Sequence, residues 1–125
     1  MNETIIWPDT HYLTSYIQRL RGITAINDIT ALSAFWFPHC RAVHTWGMRF
    51  PIDVIALDSH GIIIDVKRLL VPNRMYWHKR ADTLIELCAL CPYPLESWIG
   101  AQLQLEARRH DEEDRWATRI VFERV

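Results

Sequence analysis

The chain has no segment that reads as an export leader or a membrane span. Its first residues, MNETIIWPDTHY, lack both a basic start and an apolar run, and no stretch of about 18 uncharged apolar residues occurs anywhere. A cytoplasmic protein that makes no membrane contact is therefore expected. A disulfide framework is missing too: the three cysteines, Cys40, Cys88 and Cys91, are an odd number in a chain with enough apolar residues for a core, so reduced thiols are expected. Nor is there an excess of charge of one sign. Fourteen Lys and Arg stand against fifteen Asp and Glu, for a net charge of -1. No general field draws the chain to nucleic acid or anionic lipid, and nucleic acid is not an expected partner unless a local patch provides for it. Linkers, internal repeats and low-complexity tracts are also lacking, which leaves one domain over residues 1–125.

What is present is ordinary globular composition, 50% apolar and 23% charged, in a length that buries roughly two-thirds of the surface its unfolded form exposes. The unusual residue is tryptophan. Six copies, at positions 7, 36, 46, 77, 98 and 116, each bring a large apolar surface and an N–H that needs a partner if buried, and some are candidates to line a groove.

Hydropathy patterning predicts several short antiparallel strands. Ile52 to Leu57 is an almost continuous apolar run, as in a strand buried on both faces, and Asp58-Ser59-His60-Gly61 supplies a turn into a second strand over Ile62 to Val66. Strict alternation there would put Ile62, Ile64 and Val66 on one face and Ile63, Asp65 and Lys67 on the other. Thr83 to Leu87 is another short strand, and Leu95 to Ile99 is one helical turn closed by Gly100. Ala101 to Ala107 has clean period-two alternation. The charged run RRHDEEDR reads as a solvated turn before a C-terminal strand over 115–125. Leu13 to Thr24 is ambiguous between strand and helix, while Asn27 and Asp28 are candidate caps for a short helix over Ile29 to Ser33. The fold class expected is mainly β: a compact antiparallel sandwich- or barrel-like domain with one or two short helices.

The segment Pro38 to Asp58, PHCRAVHTWGMRFPIDVIALD, resembles the prokaryotic family catalogued as domain of unknown function number 192, and a bacterial source is expected. The resemblance rests on Cys40, Val43-His44-Thr45, Met48-Arg49, Pro51-Ile52-Asp53-Val54 and the turn Leu57-Asp58-x-x-Gly61. It continues in outline over residues 13–106, through Arg21-Gly22-Ile23 and Leu84-Ile85-Glu86-Leu87. This chain departs from the family at Cys88-Ala89-Leu90, where Pro-Ala-Gly is usual, and at Gly100-Ala101, where Gly-Asp is usual. The resemblance implies a compact β-sandwich-like fold with short helices and no accepted catalytic or ligand assignment.

The residues themselves raise three functional readings. Asp53 sits on an apolar strand and must be paired, hydrogen-bonded or exposed, with Arg49 the nearest candidate partner in sequence. Should His44, Trp46, Arg49, Asp53 and Glu86 converge in one cleft, they form a binding site for a small molecule or a protein in a non-enzymatic domain. That reading needs no cofactor. Cys40, His44 and Asp53 instead suggest a nucleophile, base and orienter for a hydrolase or transferase. Four residues along a straight strand span about 13 Å, however, so Cys40 and His44 meet only in a helix or tight turn. Cys40, His44, Cys88 and Cys91 are four soft ligands, the number a tetrahedral structural zinc takes. Finally, Asn73 to Arg80, NRMYWHKR, mixes cations with stacking rings, and its bland alternative is a solvated loop with its aromatics folded onto the sheet.

Overall fold

A computed structural model describes residues 2–14, 30–110 and 113–122. The fold is mainly β, as expected. Among the described residues there are nine strands: β1 (Asn2–Tyr12), β2 (Ser33–Pro38), β3 (Ala42–His44), β4 (Ile52–Leu57), β5 (Ile63–Leu70), β6 (Met75–Trp77), β7 (Thr83–Cys88), β8 (Gln102–His110) and β9 (Glu113–Phe122). Seven form one sheet in the order β5-β4-β7-β2-β1-β9-β8, and β3 pairs with β6 in a separate two-stranded ribbon. Pairing is antiparallel throughout except between β1 and β2, which run parallel. Among the described residues the only helix is a 3-10 turn at Leu95–Trp98, and none is long and apolar enough to cross a membrane.

The large sheet curls until its two edge strands touch at one end without closing into a barrel. Ile62 bridges to Gln102, the Ile63 N–H donates to the Ala101 carbonyl at 2.9 Å, and the Leu103 N–H donates to the Gly61 carbonyl at 2.9 Å. Every strand of this sheet sends apolar side chains into an inner core, among them Trp7, Trp36, Ile55, Leu57, Ile63, Ile85, Leu87, Leu103 and Ile120. Full burial of each aliphatic side chain contributes about 1.5–3 kcal/mol. The outer face carries a second core of Phe35, Phe37, Ile52, Val54, Ala56, Leu70 and Leu84. The ribbon covers it with Val43 and Tyr76, helped by Met48 and Ala81. The central strands β2 and β4 are therefore buried on both faces, which accounts for the unbroken apolar run at Ile52–Leu57.

Buried polar groups in the inner layer are matched. The Trp36 Nε1–H donates to Thr118 Oγ1 at 2.9 Å, Thr118 and Thr10 share a hydroxyl bond of 2.8 Å, and Thr10 donates to the Trp7 carbonyl at 2.8 Å. This chain of bonds ties β2, β9 and β1 together.

Several sequence expectations are corrected by pairing. Alternation along β5 is broken by a register shift beside Ala56 and Leu57, so that Ile63 and Val66 both pack on the inner core and Ile64 on the outer one. The charged run is mostly ladder rather than turn: His110 stands opposite Glu113, Arg109 opposite Asp114 and Arg108 opposite Arg115. Backbone pairing does not require apolar side chains once a hairpin is in register. The helix expected to end at Ser33 is not formed there. Residues 30–32 make a turn, with the Ser33 N–H on the Thr30 carbonyl at 3.1 Å, and Ser33 opens β2. Its caps Asn27 and Asp28, and most of the Leu13 to Thr24 stretch, lie outside the described residues.

Gly61 stands where the sheet's edges meet. Its φ is +77°, and a β-carbon there would lie 2.8 Å from the Leu103 carbonyl oxygen, whereas Gly47, at φ +83°, faces open space. Gly47→Ala should lose about 1–2 kcal/mol for the left-handed backbone alone. Gly61→Ala should lose at least about 1 kcal/mol more, because a backbone contact must shift as well. Urea denaturation of the two variants checks the order, and equal losses would mean that the contact between the edges contributes nothing.

Candidate functional site

Asp53 is fully buried on the inner face of β4, between Ile52 and Val54, which point to the outer core. Its partner is Arg68, not Arg49. On β5 the pairs Ile52↔Leu70 and Val54↔Lys67 leave two residues, Arg68 and Leu69, facing Asp53 across a bulge, and Leu69 has a φ of +51°. Asp53 satisfies that bulge: its Oδ1 accepts the Leu69 N–H at 3.0 Å, and its Oδ2 accepts Arg68 Nη1 at 2.8 Å and the Cys91 N–H at 2.9 Å. Arg68 in turn donates to the carbonyls of Cys91 (2.9 Å) and Tyr93 (2.7 Å) and to both oxygens of Glu96 (2.9 and 3.2 Å). The hydrogen bond to Glu96, backed by Asp53, raises the guanidinium pKa further, and Glu96 is lowered by the same contact. Burial pushes the Cys91 thiol up, so it is no activated nucleophile.

Arg68 is the functional-looking residue that sequence reasoning missed. A signal was available: the hairpin register that pairs Ile55 with Val66 and Val54 with Lys67 leads directly to Asp53 and Arg68.

The residues expected to converge do not. Asp53 pairs with Leu87 and faces inward, whereas Glu86 pairs with Val54 and faces outward, so the two carboxyls lie on opposite sides of one sheet. Glu86 is 5% exposed and has no hydrogen bond or ion pair among the described residues, and burial pushes its pKa up to about 8. It therefore holds its proton at neutral pH. Arg49 is exposed after the Gly47 turn.

His44 and Trp46 lie elsewhere again, on the ribbon. Val43 and Tyr76 point inward there, and Tyr76 also donates its hydroxyl to Asp65, so the opposite side of the ribbon carries Ala42, His44, Met75 and Trp77. The Trp46 ring lies against the His44 ring, tilted 30° to it with centroids 4.8 Å apart. Trp46, Met75 and Trp77 are 61%, 63% and 59% exposed. The expectation that the aromatics of the 73–80 segment fold onto the sheet holds for Tyr76 and fails for Trp77, because the two alternate across a strand. The ribbon end is fixed by Thr45, fully buried. Its hydroxyl donates to the Val71 carbonyl at 2.6 Å and accepts the Arg74 N–H at 2.9 Å.

The catalytic and zinc alternatives do not assemble. The Cys40 thiol donates to the Ala42 carbonyl at 3.0 Å, the His44 ring lies against Trp46, and every side-chain hydrogen bond of Asp53 goes to Arg68, Leu69 or Cys91. Cys91 packs in the inner core and Cys40 against the outer one. Cys88 pairs with Ile52, whose side chain belongs to the outer core. No group of three or more His, Cys, Asp or Glu among the described residues could hold a metal ion.

No family model matches the chain, and no curated protein does. Two solved structures share the fold. A protein of unknown function from Novosphingobium aromaticivorans aligns with a TM-score of 0.60 at 9% identity, over 87% of this chain and 72% of that one. A protein from Sinorhizobium meliloti named as a "putative transcription regulator" aligns with a TM-score of 0.63 at 17% identity, over 87% of this chain and 80% of its own. At these identities the likeness concerns the fold alone.

Two outcomes follow from the carboxyls. In Asp53→Asn the amide group must face a backbone or guanidinium N–H in either orientation, so it should destabilise about as much as Asp53→Ala, by about 3 kcal/mol in urea titrations. A loss confined to Asp53→Ala would show that shape rather than charge matters. Glu86 keeps its proton to about pH 8 when folded but releases it near pH 4.5 when unfolded. Its contribution is intact below pH about 4.5 and is lost as pH rises to about 8. Melting temperatures of the wild type should fall over that window, with a flatter profile for Glu86→Gln; parallel profiles would refute the assignment.

Proposed function

We propose that the chain is a non-enzymatic binding domain whose contact face is the outward side of the β3–β6 ribbon, and that the partner is anionic. One observation carries this reading: two tryptophans, a methionine and a histidine are held in the open on the ribbon and the turn that follows β3, while the ribbon's other side is used in packing. Large side chains exposed together mark contact surfaces, and Trp, Met and Arg are enriched at the centres of such surfaces. Arg41, Arg49, Arg74, Lys79 and Arg80 surround the ribbon in sequence and are all exposed, with Asp82 the single carboxylate in the two flanking segments, 39–50 and 71–82. None of the five is ion-paired among the described residues. A chain of net charge -1 thus carries a local basic patch.

Membership of the domain-of-unknown-function 192 family is part of the same proposal. What supports it is that the motif residues have structural work here: Thr45 holds the ribbon end, Asp53 the β5 bulge, and Asp58 and Gly61 the turn between β4 and β5. The three free thiols fit a cytoplasmic setting.

Heparin chromatography at low ionic strength tests the contact face. The wild type should be retained and elute at higher salt than Arg74→Glu/Lys79→Glu, a pair of exposed positions whose exchange leaves both cores untouched. Unretained wild type, or equal elution of the two, would overturn the reading.

A further inference from the structure

We propose that the ribbon takes single-stranded nucleic acid, its bases stacking on Trp46 and Trp77 and its phosphates meeting the surrounding arginines and lysines. This rests on the contact face argued above and names its partner.

Three features favour that occupant. First, the exposed groups are flat rings beside cations, the combination by which single strands are held without sequence readout: the rings take the base faces and the cations follow the backbone. The Trp46 ring lies against His44 at 4.8 Å, and Trp77 is turned to the same outward side as Ala42, its partner across the ribbon. Second, at the end of the ribbon where Ala42 meets Trp77, an open pocket of about 440 Å³ is lined by His39, Arg41, Ala81 and Asp82. The His78 N–H on the Arg41 carbonyl (3.0 Å) and the Cys40 N–H on the Asp82 carbonyl (2.9 Å) hold its walls. Its carboxylate and imidazole, Asp82 and His39, lie 3.6 Å apart, and with the Arg41 guanidinium they offer donors and acceptors to a base edge that is free of its complement. Third, the competing occupants fit less well. A stable protein interface takes about 20–30 residues a side, whereas the ribbon presents a handful. A duplex keeps its base faces in its own stack and leaves the tryptophans nothing to cover.

The near-neutral net charge does not oppose this. Phosphate contacts are local, within about 10 Å at moderate salt, and the segments flanking the ribbon carry five cations to one carboxylate, while Asp65 on β5 is engaged by Tyr76 on the ribbon's inner side.

The test is fluorescence anisotropy of a labelled mixed-sequence DNA oligonucleotide, about four to sixteen nucleotides long as suits one small domain, titrated with the full chain. The same strand as a duplex, and polyglutamate as competitor, are run beside it. The single strand should bind at least tenfold more tightly than the duplex and resist polyglutamate. Trp46→Ala and Trp77→Ala should each weaken binding about tenfold with unchanged melting temperature, and Trp46→Phe should restore part of the loss. Equal or tighter duplex binding, displacement by polyglutamate, or affinity indifferent to both tryptophans would overturn the proposal. If heparin retention through Arg74 and Lys79 persists in such a case, the anionic contact face stands and only the single-strand assignment falls. Loss of both removes both.

Discussion

Asp53 is an ionisable carboxyl placed inside an apolar core, and much of the molecule is arranged around making that tolerable. Removing a carboxylate from water costs several kcal/mol unless its lone pairs and charge are matched. Two backbone N–H groups and one guanidinium do so here, and the guanidinium avoids the full penalty itself because Arg68 remains partly open to water beside Glu96. The matching has structural consequences. It fixes a two-residue bulge in β5, holds Leu69 in a left-handed conformation that it would not adopt unaided, and pins the 91–96 segment across the mouth of the inner core.

That arrangement separates stability from contact. The carboxylate that looked most like a binding group is occupied by its own chain, and the buried Glu86 lies on the other side of the sheet. The ribbon closes the outer core with its inner side and leaves its outer side open to water. Tyr76 bonded to Asp65 on β5 ties the inner side of the ribbon to the sheet, and Thr45 bonded across to the 71–74 turn fixes its end. Trp46 and Trp77 therefore stay in water despite the apolar surface they expose. A rigid exposed ring loses little entropy on binding, which is why such surfaces are effective with few residues.

Local chemistry was sufficient for some of this and not for the rest. The apolar run at 52–57, the Asp58-to-Gly61 turn, the strand at 83–87 and the helical turn before Gly100 were legible, because each depends on neighbours in sequence: alternation, a side chain capping its own turn, a glycine with positive φ. The requirement that Asp53 have a partner was legible on the same grounds. The partner itself was not found by proximity in sequence, since Arg68 is brought opposite by hairpin register rather than by a local turn. β1 and β3 carry no strong alternation signal and exist as strands because β9, β2 and β6 pair with them.

Tertiary structure alone decided which side chains share a face and which share a site. Strand alternation sends Asp53 and Glu86 to opposite sides of one sheet, and no count along the chain reveals which side is enclosed until the sheet curls. By the same rule Tyr76 is buried and its neighbours Met75 and Trp77 are not. The sequence by itself determined that a mainly-β domain with a demanding buried carboxylate would form. Long-range pairing decided that the carboxylate would be consumed in holding the fold and that the tryptophans of the ribbon would be left facing water.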